Sequence, residues 1–174
     1  MRNEKNDVAM PSIVSIVGKS GSGKTTLMEK LIPELKSMGL RVGTIKHDIH
    51  GFELDHPGKD SWRHKQAGSA TAIISSPHKI GMVMDVDHDH TLDELARFLS
   101  GVDIILSEGY KRENKPKVEI FREKIHNRPL CLDDGNLIAL MTDADIDLGV
   151  PQFSTDDING LADFLIQYFK LSQK

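Results

Sequence analysis

The run GKSGSGKT at residues 18 to 25, directly after the apolar SIVSIV at 12 to 17, restricts what this chain can fold into more than any other stretch. Gly18, Gly23, Lys24 and Thr25 match the spacing G-x-x-x-x-G-K-[ST], in which glycines let backbone N–H groups turn inward around an oxyanion. Leu27, Leu31 and Leu35 follow at helical spacing, with Gly39 as a stop. The order is strand, phosphate loop, helix, and the helix N-terminus adds its partial positive charge. In that context the turn holds a nucleoside triphosphate: Lys24 reaches the β and γ phosphates as a point charge and the Thr25 hydroxyl ligates Mg²⁺. The bland alternative is a glycine-rich turn that binds nothing.

Beyond the turn, strands alternate with helices, the pattern of a parallel sheet covered on both faces. Strands are expected at RVGTIK (41 to 46), VDIILSEG, KVEIF and LIALMTD, and helices at 24 to 38, 60 to 68 and 91 to 99. Pro33 inside the first helix should cost it a hydrogen bond and a local bend. Residues 47 to 59 form a loop, and ATAIISS and IGMVMDV flank PHK as an antiparallel hairpin. A last helix places Ile158, Leu161, Ala162, Leu165, Ile166 and Phe169 on one face, with Ser154 or Thr155 as its cap. The expected fold class is α/β, a P-loop NTPase three-layer fold with a mostly parallel sheet and an antiparallel hairpin.

With 174 residues, 39% of them hydrophobic, the chain is expected to form one nucleotide-binding domain over 11–174, preceded by a polar extension over 1–10. A formal charge of −4 without a block of basic residues argues against a nucleic-acid partner. The lone Cys131 excludes an internal disulfide framework. The apolar runs are too short to span a membrane and the start lacks a secretory pattern, so the cytoplasm is the expected location.

A metal-bridged triphosphate needs an acidic group at the end of a neighbouring buried strand, and VDIILSEGY supplies Glu108. Any catalytic role therefore falls to Lys24 and Glu108, with Thr25 and Glu108 as the Mg²⁺ pair. Asp103 is the alternative acid, at the wrong end of the strand. Gly109 suits a close approach of backbone to phosphates or a plain turn. For the base, an N-K-x-D motif is absent, since NKPK at 114 to 117 lacks the aspartate. Asp143, ending LIALMTD, can accept both donors of guanine or serve as a turn or cap residue. Lys46 and His47 end the second strand on the phosphate-loop edge, facing an anion or making surface contacts. Asp60 reads as a helix cap that can also touch a metal-bound water, and Trp62 as packing.

In order and spacing, GKSGSGKTTLMEKLIPEL, GLRVGTIKHD, DHPGKDSWRHKQAGS and LSEGYK resemble the MobB family, molybdopterin-guanine dinucleotide biosynthesis protein B. The resemblance implies a small homodimeric GTP-binding protein with weak GTPase activity. It would assist the guanylyltransferase that attaches GMP to the molybdopterin cofactor. It also implies phosphate binding by Gly21, Ser22, Gly23, Lys24, Thr25 and Thr26, with Lys46, Asp60 and Glu108 in the surrounding site. The loop HDIHGFELDHP is richer in acid and histidine than the family pattern, so no role passes to Asp48 or His50.

Two other functions share this fold. Eight histidines, including His47, His50, His88 and His90, suit a chaperone GTPase for nickel or zinc, although charged turns produce such runs without metal. A small-molecule kinase would need an arginine-rich lid, for which only isolated arginines such as Arg112, Arg122 and Arg128 are available. Lys19, five residues before Lys24, is either an exposed loop lysine or one that reaches a partner's nucleotide across a dimer.

Overall fold

The computed structural model describes residues 10–172, so the extension expected over 1–10 lies outside them except for Met10. The chain forms two compact units, one made of residues up to His47 and from Thr91 onward, the other of Asp48–His90.

The first unit is built on six strands: β1 (Ser12–Val17), β2 (Val42–Lys46), β5 (Ile104–Glu108), β6 (Lys117–Ile120), β7 (Leu137–Met141) and β8 (Gln152–Phe153). They pair in the order β2-β5-β1-β6-β7-β8, every pair parallel. Helices α1 (Lys24–Ser37) and α4 (Ile158–Phe169) supply Leu27, Leu31, Leu35, Leu161 and Leu165 to one core with Val14, Ile16 and Leu106. A smaller core joins Ile13, Ile45 and Ile105 to Leu92 and Ala96 of α3 (Leu92–Ala96). Alternate residues of the central strands thus face two different cores, which is why these strands are apolar runs rather than alternating ones. Ser15 interrupts that run at no cost in unpaired polarity, because its hydroxyl meets that of Ser107, its register partner on β5, at 2.8 Å.

Several local expectations change. Pro33 lies inside α1, and the helix continues to Ser37, so the missing N–H does not end it. α3 stops at Ala96, where Phe98 and Leu99 donate to the carbonyls three residues back instead of four. Its start is a full capping box between Thr91 and Glu94. The cap of α4 is Asp157, which accepts from the Gly160 N–H at 3.0 Å, and neither Ser154 nor Thr155. Two-residue β8 had no pattern of its own to reveal it.

The second unit holds α2 (Asp60–Gln66) and the antiparallel pair β3 (Thr71–Ser76) and β4 (Lys79–Met84). Ser76 pairs with Lys79, so the hairpin turn is Pro77-His78 and Lys79 belongs to the strand. Lys59 occupies the N-cap position of α2; Asp60 stands in the first turn and makes no side-chain cap bond. No residue of Asp48–His90 is buried, and Ile73, Ile74, Ile80 and Met82 of the hairpin are all exposed.

Candidate nucleotide site

Parallel pairing puts all six carboxyl ends on one edge. The crossover direction reverses beside β1, which has β5 on one side and β6 on the other. Ligands of open parallel sheets gather at that reversal. The phosphate loop leaves β1 there, and the register sets Ile16 of β1 and Lys46 of β2 both opposite Glu108 of β5.

Within the loop two glycines are obligatory. A Cβ on Gly18 would lie 2.6 Å from the Ile120 carbonyl and from the Ser22 hydroxyl, and Gly23, at φ 103, starts α1 from the left-handed region. No side chain caps α1 and no acidic residue stands in its first turn, so its leading N–H groups keep their capacity for an anion. Lys24 Nζ donates to the carbonyls of Gly18 at 3.0 Å and Lys19 at 3.2 Å, holding the ammonium against the loop. Thr25 Oγ1 donates to Glu108 at 3.2 Å. Among the described residues, Ser22 Oγ is the buried side-chain polar atom left without a partner, and it lies inside this loop.

These groups fit a magnesium-bound triphosphate. Loop N–H groups and Lys24 match phosphate oxygens, and the Thr25 hydroxyl beside the Glu108 carboxylate is a hard-oxygen pair of the kind Mg²⁺ takes. The metal, when bound, would neutralise charge on the phosphates.

Around the loop the other expected residues take different positions. Lys46 is exposed at the end of β2. His47 stacks on Tyr110 with ring centres 4.5 Å apart, and its N–H donates to the Glu108 carbonyl at 2.9 Å. Gly109 serves that contact: at φ 104, a Cβ there would stand 2.9 Å from His47 Cβ. Asp103 accepts from the Arg41 N–H at 2.7 Å at the far end of β5. Asp143 accepts from Thr155 through Oγ1 at 2.7 Å and N–H at 3.1 Å. Those bonds, then Arg122 and Lys124, hold its carboxyl below the usual value. Lys19 donates to the Arg128 carbonyl at 2.9 Å within the same chain. Asp60 belongs to the second unit, in the first turn of α2.

Two neighbours of the loop escaped sequence reasoning in this role. Arg122 Nε donates to the Ser22 carbonyl at 3.1 Å, and His126 Nε2 lies 2.9 Å from the Ser20 carbonyl. Arg122 also lines a cavity of about 340 Å³ with Lys124, Ile125 and Asp143. Only its place directly after a strand of the carboxyl edge could have drawn attention to it.

The family model described as "Molybdopterin guanine dinucleotide synthesis protein B", MobB, matches residues 13–143. The chain belongs to the MobB family. It is 36% identical over 168 residues to the molybdopterin-guanine dinucleotide biosynthesis adapter protein of Escherichia coli K12, covering 92% of this chain and 95% of that one. With the protein of the same description from Haemophilus influenzae the identity is 37% over 155 residues, covering 88% and 86%. The crystal structure of Bacillus subtilis MobB superposes with a TM-score of 0.73 at 29% identity, covering 94% of this chain and 99% of that one. The MobB likeness and the α/β fold are therefore as the motif set implied. No helix among the described residues is long and apolar enough to cross a membrane. No group of three or more His, Cys, Asp and Glu among them is arranged to hold a metal ion, and His88 and His90 stack on each other at 4.2 Å.

Proposed function

We propose that this protein is a cytoplasmic GTP-binding adaptor that serves the guanylyltransferase of molybdenum cofactor synthesis, with at most slow GTPase activity of its own. The observation that carries this reading is the phosphate loop with Thr25 set against Glu108, in a chain whose MobB relatives bear the description of adapter proteins. In this reading Gly21 to Thr26 hold the triphosphate, Thr25 and Glu108 hold Mg²⁺, and exposed Lys46 attracts an anionic partner such as the molybdopterin phosphate. Arg122, the arginine beside the loop, is engaged with the loop's own backbone, so fast phosphoryl chemistry would await a group from elsewhere. The partner enzyme then performs the transfer.

The adaptor acts as a homodimer joined through the second unit. An isolated two-stranded hairpin is marginal in water, and the register of this one sets Ile73, exposed at 62%, and Ile80, exposed at 73%, on one face together with Met82. A second copy presents the same apolar surface and can cover it reciprocally.

The test is dinucleotide cofactor formed per unit time by purified transferase and pterin cofactor at limiting GTP. Wild-type protein should raise output and Lys24→Ala should not. Equal output with wild type, variant and no added protein removes the adaptor role.

A further inference from the structure

The connection from β6 to β7 grips the phosphate loop by its carbonyls. Arg122 Nε donates to the Ser22 carbonyl at 3.1 Å, and His126 Nε2 lies 2.9 Å from the Ser20 carbonyl. A carbonyl can only accept, so Nε2 carries the proton. Lys19 reaches the opposite way, donating to the Arg128 carbonyl at 2.9 Å. These three bonds join positions 100, 106 and 109 apart in the chain.

The gripping segment is itself anchored in the interior. Glu119 of β6 is buried, and its carboxylate accepts from the N–H groups of Leu130 at 2.6 Å and Cys131 at 2.8 Å. Lys117, equally buried, pairs with Asp134 at 2.7 Å. A buried carboxylate that accepts two backbone N–H groups makes a stiff attachment, because leaving them unpaired would be costly.

The carbonyls held are telling. In a planar trans peptide the C=O of one residue and the N–H of the next point in opposite directions. Holding the Ser20 carbonyl therefore sets the Gly21 N–H, and holding the Ser22 carbonyl sets the Gly23 N–H. Both of those residues are glycines at positive φ, 76 and 103, whose own conformational freedom would let the planes turn. We infer that Arg122 and His126 are positioning residues for nucleotide binding: they fix the two peptide planes that end in Gly21 and Gly23, so that these N–H groups are arranged before the phosphates arrive. This rests on the reading of the loop as a GTP site. Preorganisation of this kind raises affinity by removing the ordering cost from the binding step.

The experiment is equilibrium binding of GTP with Mg²⁺ to the full chain, at low and at high salt, with melting curves for each variant. Arg122→Ala should weaken binding by about tenfold, the scale of one charge-assisted hydrogen bond. Arg122→Lys should lose nearly as much, since it keeps the charge but not the Nε–H. His126→Ala should lose about threefold, and His126→Gln, whose amide can donate, should recover it. The ratio of variant to wild-type Kd should not change with salt, because a contact to a carbonyl is not a long-range field. Full rescue by Arg122→Lys, or a ratio that collapses at high salt, would mean that Arg122 acts through its charge and would overturn the inference. Unchanged binding in folded Arg122→Ala would do the same, and if that variant does not fold, Arg122→Lys and the His126 pair decide. Failure of wild type to bind GTP would instead sink the proposed function.

Discussion

The Thr25 hydroxyl lies 3.2 Å from a carboxylate oxygen of Glu108, a contact between positions 83 apart in the chain. It follows from parallel pairing of β1 with β5 in a register that brings both to the same edge. Substituting Glu108→Gln or Thr25→Ala should raise the Mg²⁺ concentration for half-maximal GTP binding by about tenfold, as expected for loss of one charge-assisted contact. Nucleotide affinity without the metal should change much less. A magnesium titration by fluorescence or calorimetry measures both, and an unchanged midpoint in Glu108→Gln would remove that residue from the metal site.

Asp143 is tied to Thr155, yet its carboxylate remains exposed beside the cavity lined by Arg122 and Lys124. Asp143→Asn should reduce the preference for GTP over ATP by about tenfold, because an amide cannot accept from both guanine donors. Competition binding of the two nucleotides reads this directly. Full discrimination in the variant would leave Asp143 with only the task of holding the β8–α4 turn.

The Lys117–Asp134 pair predicts an acid limb in stability. The Lys117 hydrogen bond, foremost, keeps the Asp134 carboxyl below its ordinary value of 3.8. The native state therefore binds this proton less tightly than the unfolded chain does. The contribution is fully present above about pH 4 and is lost as pH falls through the depressed native value. Asp134→Asn should cost about 3 kcal/mol at neutral pH by leaving the buried ammonium unpaired. It should also flatten the dependence below about pH 4. Urea titrations across that range test both, and a variant with the wild-type slope would exclude Asp134 as its source.

The exposed hairpin predicts the state of association. Wild-type protein should sediment as a dimer, and Ile73→Asp with Ile80→Asp, two changes on one hairpin face, should shift it to monomer while leaving melting of the first unit in place. A dimer of undiminished stability in the double variant would place the interface elsewhere.

The sequence was most readable where chemistry and local pattern coincide. The phosphate loop needs glycines at set positions, and Glu108 ends a buried strand, so both could be placed from spacing alone. Residues that act through distant partners were not visible. Arg122 is one arginine after a strand, and its role exists only because β6 lies next to β1. Lys117 and Glu119 alternate with apolar neighbours and imitate a solvated strand face, yet both are buried and matched by loop groups. The stretch STDD before α4 offers four residues able to cap; Thr155 is drawn away by Asp143, and Asp157 takes the cap.

Cys131 sits where Glu119 fastens the gripping segment, 4% exposed, with burial pushing its thiol up to about 12. So high a value leaves almost no thiolate at neutral pH, and alkylating reagents must wait for the segment to detach. As the chain's only cysteine, it is a ready-made clock for that detachment. The rate of its modification, followed with and without nucleotide, times how often the brace beneath the phosphate loop lets go.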